Sequence, residues 1–113
     1  MTDLREQLKT AVCESVDRIV GDLVAVSRDI HAHPEENFVE HHAHEVLTQL
    51  AGDHGLAPVR SAYGLETAYS AEVGSRGATV AVLCEYDALP GIGHGCGHNI
   101  IAAAGMGAGL ALA

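Results

Sequence analysis

Between Glu85 and Asn99 the chain reads Glu-Tyr-Asp-Ala-Leu-Pro-Gly-Ile-Gly-His-Gly-Cys-Gly-His-Asn, placing two carboxylates, two imidazoles and a thiol on one glycine-rich run. That is the composition of a metal site. Cys96 and His98 flank a single glycine, so in an extended loop both side chains leave the same side and can reach one cation. Soft sulfur beside imidazole nitrogen favours zinc or a similar transition metal over calcium or magnesium. Two candidate ligands at this spacing also arise by chance, and a free cysteine is commonly a small buried residue under a turn. On ligand chemistry alone the two readings of Cys96 stand even, and His98 follows Cys96. Asp87 has the chemistry to cap the turn that follows it, a role compatible with orienting a ligand. His94 is read as shaping the loop or touching substrate, Glu85 and Tyr86 as supporting the loop or lining the pocket, and Asn99, with His94 and Glu85, as meeting substrate or backing a ligand.

The elements around this run must hold it in place. Ala78-Thr79-Val80-Ala81-Val82-Leu83-Cys84 is an apolar stretch rich in β-branched residues, which predicts a strand covered on both faces. In open α/β sheets ligands gather beyond the carboxyl ends of strands, where Asp87, Cys96 and His98 would then lie. A helix is predicted to start near His98 or Asn99, its small residues allowing close packing, and its positive end would favour the thiolate of Cys96. Upstream, Leu4, Leu8, Val12, Val16, Ile19, Leu23 and Ile30 recur at helical spacing and predict one long amphipathic helix bounded by Pro34. A second helix is predicted from about Val39 to His54, burying Ala43, Val46, Leu47 and Leu50 and stopped by Gly55. Glu66 to Val73 alternates as a half-buried strand, with Gly74-Ser75-Arg76-Gly77 as the turn after it. Gly91, Gly93, Gly95 and Gly97 alternate without meeting G-x-G-x-x-G, which excludes a nucleotide loop.

The histidine-rich stretch with His31, His33, Glu35, Glu40, His41, His42 and His44 contains no His-Glu-x-x-His pattern. On a helix these residues spread over different faces. His41, His42 and His44 are therefore expected on a solvated face, and His33-Pro34-Glu35 in a structural role or supporting the site from outside. Cys13 and Cys84 are expected in the core.

The 113 residues carry a formal charge of −9 and no Lys/Arg cluster, which argues against nucleic acid or an anionic membrane as partner. Three widely separated cysteines argue against a disulfide framework and favour a reducing cytoplasm. The first residues lack the basic-then-apolar pattern of a signal peptide. Hydrophobic residues make up 48% and aromatics 4%, so the core must be aliphatic and small.

Taken together, Ile30-His31-Ala32-His33-Pro34-Glu35 with Phe38 and Glu40, Gly64-Leu65-Glu66-Thr67-Ala68, and the run from Glu85 to Asn99 resemble the metal-dependent amidohydrolases that include aminoacylases, indole-acetyl-amino-acid hydrolases, aminobenzoyl-glutamate hydrolases and certain dipeptidases. The resemblance implies that Cys96 and His98 are metal ligands and that Asp87 supports the site from its edge. Many relatives have Asp after Cys-Gly-His where this chain has Asn99, which removes a charge beside His98. It further implies an α/β fold, here the N-terminal part of a zinc-peptidase-like α/β/α sandwich with an incomplete sheet. Residues 1–113 would then be the N-terminal portion of the catalytic domain, without the smaller inserted domain through which such enzymes dimerise. A homodimer of the full-length protein stays open.

The implied cofactor is a divalent transition metal, zinc or manganese, two per full-length site. The implied reaction is hydrolysis of the amide bond of a small N-acyl amino acid, dipeptide or aminobenzoyl-glutamate by metal-activated water, with a small-molecule amide as the partner. The family's glutamate base and remaining ligands lie downstream of this motif. From Ala88 to Ala113 the chain has no Asp, Glu, Lys or Arg, and its last stretch reads as a helix cut in mid-course. This segment alone is therefore expected to be inactive. Two alternatives differ in class. One uses Cys96 as a nucleophile with His98 or His94 as base. The other is a non-catalytic metal-binding remnant or interaction module.

Overall fold

The computed structural model describes residues 3–113. In chain order it contains helix α1 (Leu4–Ala32), helix α2 (His41–Asp53), strand β1 (Val59–Arg60), a 3-10 turn (Ala62–Gly64), strand β2 (Tyr69–Ser70) and helix α3 (His98–Leu112). The two strands pair antiparallel, Val59 with Ser70 and Arg60 with Tyr69. No helix among the described residues is long and apolar enough to cross a membrane.

The helices form where the apolar spacing predicts them, and their ends have identifiable causes. Asp3 caps α1, its carboxylate accepting from Arg5 N at 3.3 Å. At the end of α2, Gly55 takes φ 89°, which lets Leu56 N donate to Ala51 O at 2.9 Å and Gly55 N to Gly52 O at 3.1 Å. This closes the last turn and folds Leu56 back against the core. Gly97, at φ 79°, sets the entry to α3.

Ile30 and Val26 of α1, Ala43, Leu47 and Ala51 of α2, and Ala102, Ala103 and Met106 of α3 form one aliphatic core. α3 packs chiefly along α1. Its small residues permit this: a Cβ on Gly107 would stand 2.7 Å from Leu23 Cδ1, and one on Gly105 would run into Cys84 Sγ and stand 3.1 Å from the Leu83 carbonyl oxygen. Gly105→Ala is therefore expected to destabilise by about 1–3 kcal/mol, because overpacking outweighs the gain in helix propensity. Gly109 has nothing within 4 Å of its would-be Cβ, so Gly109→Ala keeps only the propensity gain of about 1 kcal/mol. Urea unfolding of the two variants beside the parent checks both signs.

Several expectations fail, each for a physical reason. Ala78–Cys84 is neither a strand nor covered: it runs without a ladder, and Val80 and Leu83 are 83% and 82% exposed. Apolar β-branched residues favour a strand, but a strand exists only where another supplies its hydrogen bonds, and among the described residues the single sheet is β1–β2. The expected strand from Glu66 to Val73 shrinks to Tyr69–Ser70 for the same reason. The first turns of α1 leave Leu4 and Leu8 exposed, and Cys13 is exposed rather than in the core, because only Leu23, Val26 and Ile30 of this helix reach the buried face. Cys84 is partly buried beside Gly105, and burial pushes its thiol pKa up. Mixed helix and sheet agrees with the expected class only at this coarse level.

Candidate metal centre

The glycine-rich run is a loop that rises from the extended segment, turns back on itself and delivers its end into α3. Leu89 N donates to Gly93 O at 2.9 Å and Gly93 N to Leu89 O at 3.2 Å, closing the turn around Pro90–Ile92. The loop is also held from outside, where Ala88 N donates to Glu35 O at 2.7 Å. Tyr86 donates its hydroxyl to the Thr67 carbonyl and stacks on Tyr69, ring centroids 6.0 Å apart. Burial pushes the Tyr86 pKa up to about 12, keeping it a neutral donor. Its expected loop-supporting role is thus realised.

At the loop's end His98 opens α3 half-buried between two carboxylates: Nδ1 lies 2.7 Å from Asp87 Oδ1 and Nε2 lies 3.1 Å from Glu85 Oε2. An ionised carboxylate only accepts, so Asp87 fixes the proton on Nδ1 and aims the Nε2 edge of the ring at Glu85. This carboxylate–imidazole pair is the arrangement that orients a ligating histidine. Cys96 is exposed on the same loop. It does not join His98 and a carboxylate in any group of three donors within 4.8 Å among the described residues. Asn99 turns away from the loop, is buried, and donates through Nδ2 to Ser27 Oγ at 3.1 Å and Ser27 O at 3.3 Å, tying α3 to α1.

His94 is buried, its ring centroid 6.3 Å from that of His31. Burial, then the nearby imidazoles of His31 and His98, lower its pKa below the ordinary histidine value, against an opposing pull from Asp87.

The loop before α2 corrects the reading of the histidine-rich stretch. Glu35 uses both carboxylate oxygens on the first turn of α2, accepting from His42 N at 2.8 Å and Ala43 N at 2.9 Å. It thereby caps that helix from a distance, while the residue at the N-cap position, Glu40, makes no cap bond. Glu40 is buried and instead accepts from Phe38 N at 2.8 Å and from the Thr67 hydroxyl, holding Phe38 at φ 70°. His44 is buried and His42 half-buried, so of the three expected on a solvated face only His41 is exposed. The reason is the helical period: His44 shares its stripe with Leu47, Thr48 and Ala51. Sequence reasoning also missed Asp29, whose carboxylate contacts both His33 and His42. The i,i+4 spacing of Asp29 and His33 on one helix is the available signal.

No protein-family model matches the chain. Among curated proteins it is 43% identical over 117 residues to the Xaa-Arg dipeptidase of Mus musculus, an alignment covering 95% of this chain and 27% of that protein. It is 42% identical over 118 residues to the Homo sapiens Xaa-Arg dipeptidase, covering 93% and 27%. A p-aminobenzoyl-glutamate hydrolase chain of Escherichia coli K12 is 27% identical over 124 residues, covering 88% and 26%. The chain belongs to this family of amidohydrolases and peptidases. It spans about a quarter of the length of the curated relatives it matches. At 95% coverage, the region matched in the mouse dipeptidase takes in the Glu85–Asn99 loop together with the helices on which it rests.

Proposed function

We propose that this segment is the N-terminal, ligand-bearing portion of the catalytic domain of a metal-dependent amidohydrolase, a zinc-peptidase-like α/β/α sandwich in the whole protein. The amide bond it cleaves belongs to a small substrate of the dipeptide or aminobenzoyl-glutamate type. The observation that carries the reading is His98, held through Nδ1 by Asp87 with Nε2 facing Glu85, on a loop that also carries Cys96. Imidazole, carboxylate and thiol on one loop fit a divalent transition ion such as zinc or manganese. His98 and Cys96 would hold it, with Glu85 beside the coordinating nitrogen.

When bound, such an ion polarises a carbonyl oxygen and acidifies water. With a proton held on Nδ1 by Asp87, Nε2 is the nitrogen an ion would take, in place of the proton facing Glu85, and the Asp87 contact stops the ring from rotating. Glu35, through its carbonyl, fixes the backbone at Ala88 and so the position of Asp87. His94 adds a buried imidazole to the same loop, its pKa lowered chiefly by burial. The relatives' names supply the substrate class: one pair acts on Xaa-Arg dipeptides and another protein on p-aminobenzoyl-glutamate.

The test is an assay of the protein that carries this segment on dipeptides ending in arginine and on p-aminobenzoyl-glutamate, before and after dialysis against a chelator. Hydrolysis that disappears on dialysis and returns with zinc or manganese supports the reading. Hydrolysis indifferent to the chelator but lost on thiol alkylation would assign Cys96 a nucleophilic role instead and overturn it.

A further inference from the structure

We propose that Asp29, His33 and His42 form a second binding site for a divalent transition-metal ion, at the junction of α1 and α2 and outside the Asp87–Cys96–His98 loop. Their donor atoms lie within 4.8 Å of one another. Asp29 Oδ1 stands 2.9 Å from His42 Nε2 and 3.0 Å from His33 Nδ1, and the two rings face each other with centroids 4.2 Å apart. Ligands at about 2.0–2.2 Å from a tetrahedral ion stand about 3.3–3.5 Å apart, so the two Asp29–imidazole distances need only a slight spreading as an ion replaces the protons, and the two imidazole nitrogens lie within 4.8 Å of each other.

Three further features favour a cation there. Asp29 lies in the last turn of α1, where carbonyls lack helical partners and the dipole is negative. The Asp29 carbonyl oxygen is itself 2.8 Å from His33 Nδ1, which brings a fourth donor atom to the junction. The opposing positive end of α2 is already answered by the Glu35 carboxylate on His42 N and Ala43 N. Two imidazoles and one carboxylate with solvent on the open side suit zinc, cobalt or nickel and do not suit magnesium, which prefers oxygen alone. All three side chains are at least one-third exposed, so water completes the coordination sphere without being displaced from a sealed pocket. The ion would cross-link the two helices across the loop that carries Glu35.

The test titrates the chain with cobalt(II) and with zinc in a Cys96→Ser background, which removes the thiolate-to-cobalt charge-transfer band of the other loop. One remaining equivalent should bind without that band, and His42→Gln or Asp29→Asn added to the background should weaken it by about 100-fold or more, beyond the 10–100-fold loss typical of an outer partner. Magnesium should not compete. Absence of a bound equivalent in Cys96→Ser, or binding unchanged by His42→Gln, overturns the site. Should Cys96→Ser not fold, paramagnetic broadening by cobalt in the unsubstituted chain decides: ring-proton signals of His33 and His42 vanish if the site exists and persist if it does not.

Discussion

His98→Ala, made in the protein that carries this segment, is expected to remove the metal proposed to bind at the Glu85–Asn99 loop and to lower kcat/KM on the proposed amide substrates by more than about 100-fold. The ring's two nitrogens have separate duties: Nδ1 is committed to Asp87 at 2.7 Å, and Nε2 is the atom turned toward Glu85 at 3.1 Å. Alanine removes outright the nitrogen proposed to coordinate the ion. Asp87→Asn removes only what orients it and is expected to cost about 10–100-fold in metal affinity or activity. The two variants separate on metal dependence. Excess zinc or manganese should return much of the Asp87→Asn activity, because the ligand is still present, and none of the His98→Ala activity. Metal content by mass spectrometry beside kcat/KM makes the measurement. Equal metal content in parent and His98→Ala would remove His98 from the ligand set.

Glu35→Ala is expected to destabilise the fold by on the order of 3 kcal/mol. Its carboxylate accepts from two backbone amides at the start of α2, and hydrogen bonds to a charged group contribute about 1.5–3 kcal/mol each. Nothing in the helix's own N-cap replaces them, since Glu40 is occupied with Phe38 and Thr67. Glu35→Gln keeps one good acceptor and should recover about half the loss. Chemical denaturation of both variants gives the order Ala below Gln below parent; an equal loss for both would mean that the charged carboxylate with its two acceptor oxygens, rather than side-chain shape, makes the cap.

Local pattern makes the helices readable. The apolar spacing predicts α2 from about Val39 to His54, the helix spans His41–Asp53, and its stop at Gly55 rests on the positive φ that glycine accepts. The start of α3 at His98 is equally legible, because Gly97 breaks the chain just before a run of helix-compatible residues. Features that depend on distant partners are not. Val80, Val82 and Leu83 have strand chemistry but no strand beside them. The burial of His44 follows from where α2 meets the core, and the cap by Glu35 spans seven and eight residues. At the candidate site, Asp87 and His98 both stand out by residue type, yet their direct contact across eleven residues is a product of the loop closed between Leu89 and Gly93. Asn99 carries no signal in the sequence pointing to Ser27, seventy-two residues away.

The extended segment Ala78–Leu83 has one more consequence, for how the chain behaves in solvent deuterium. Its amides enter no ladder among the described residues and its side chains lie open. They should therefore exchange close to the rate of an unstructured peptide, while the amides of Ala102, Ala103 and Met106 on α3 wait for a cooperative opening of the helix core. The slow and fast zones meet between Leu83 and Ala88, where the Glu35 carbonyl pins the backbone next to Asp87. The loop proposed to bind metal thus stands on a protected floor with an unprotected approach, and anything that pairs with the approach would be read first as a fall in its exchange rate.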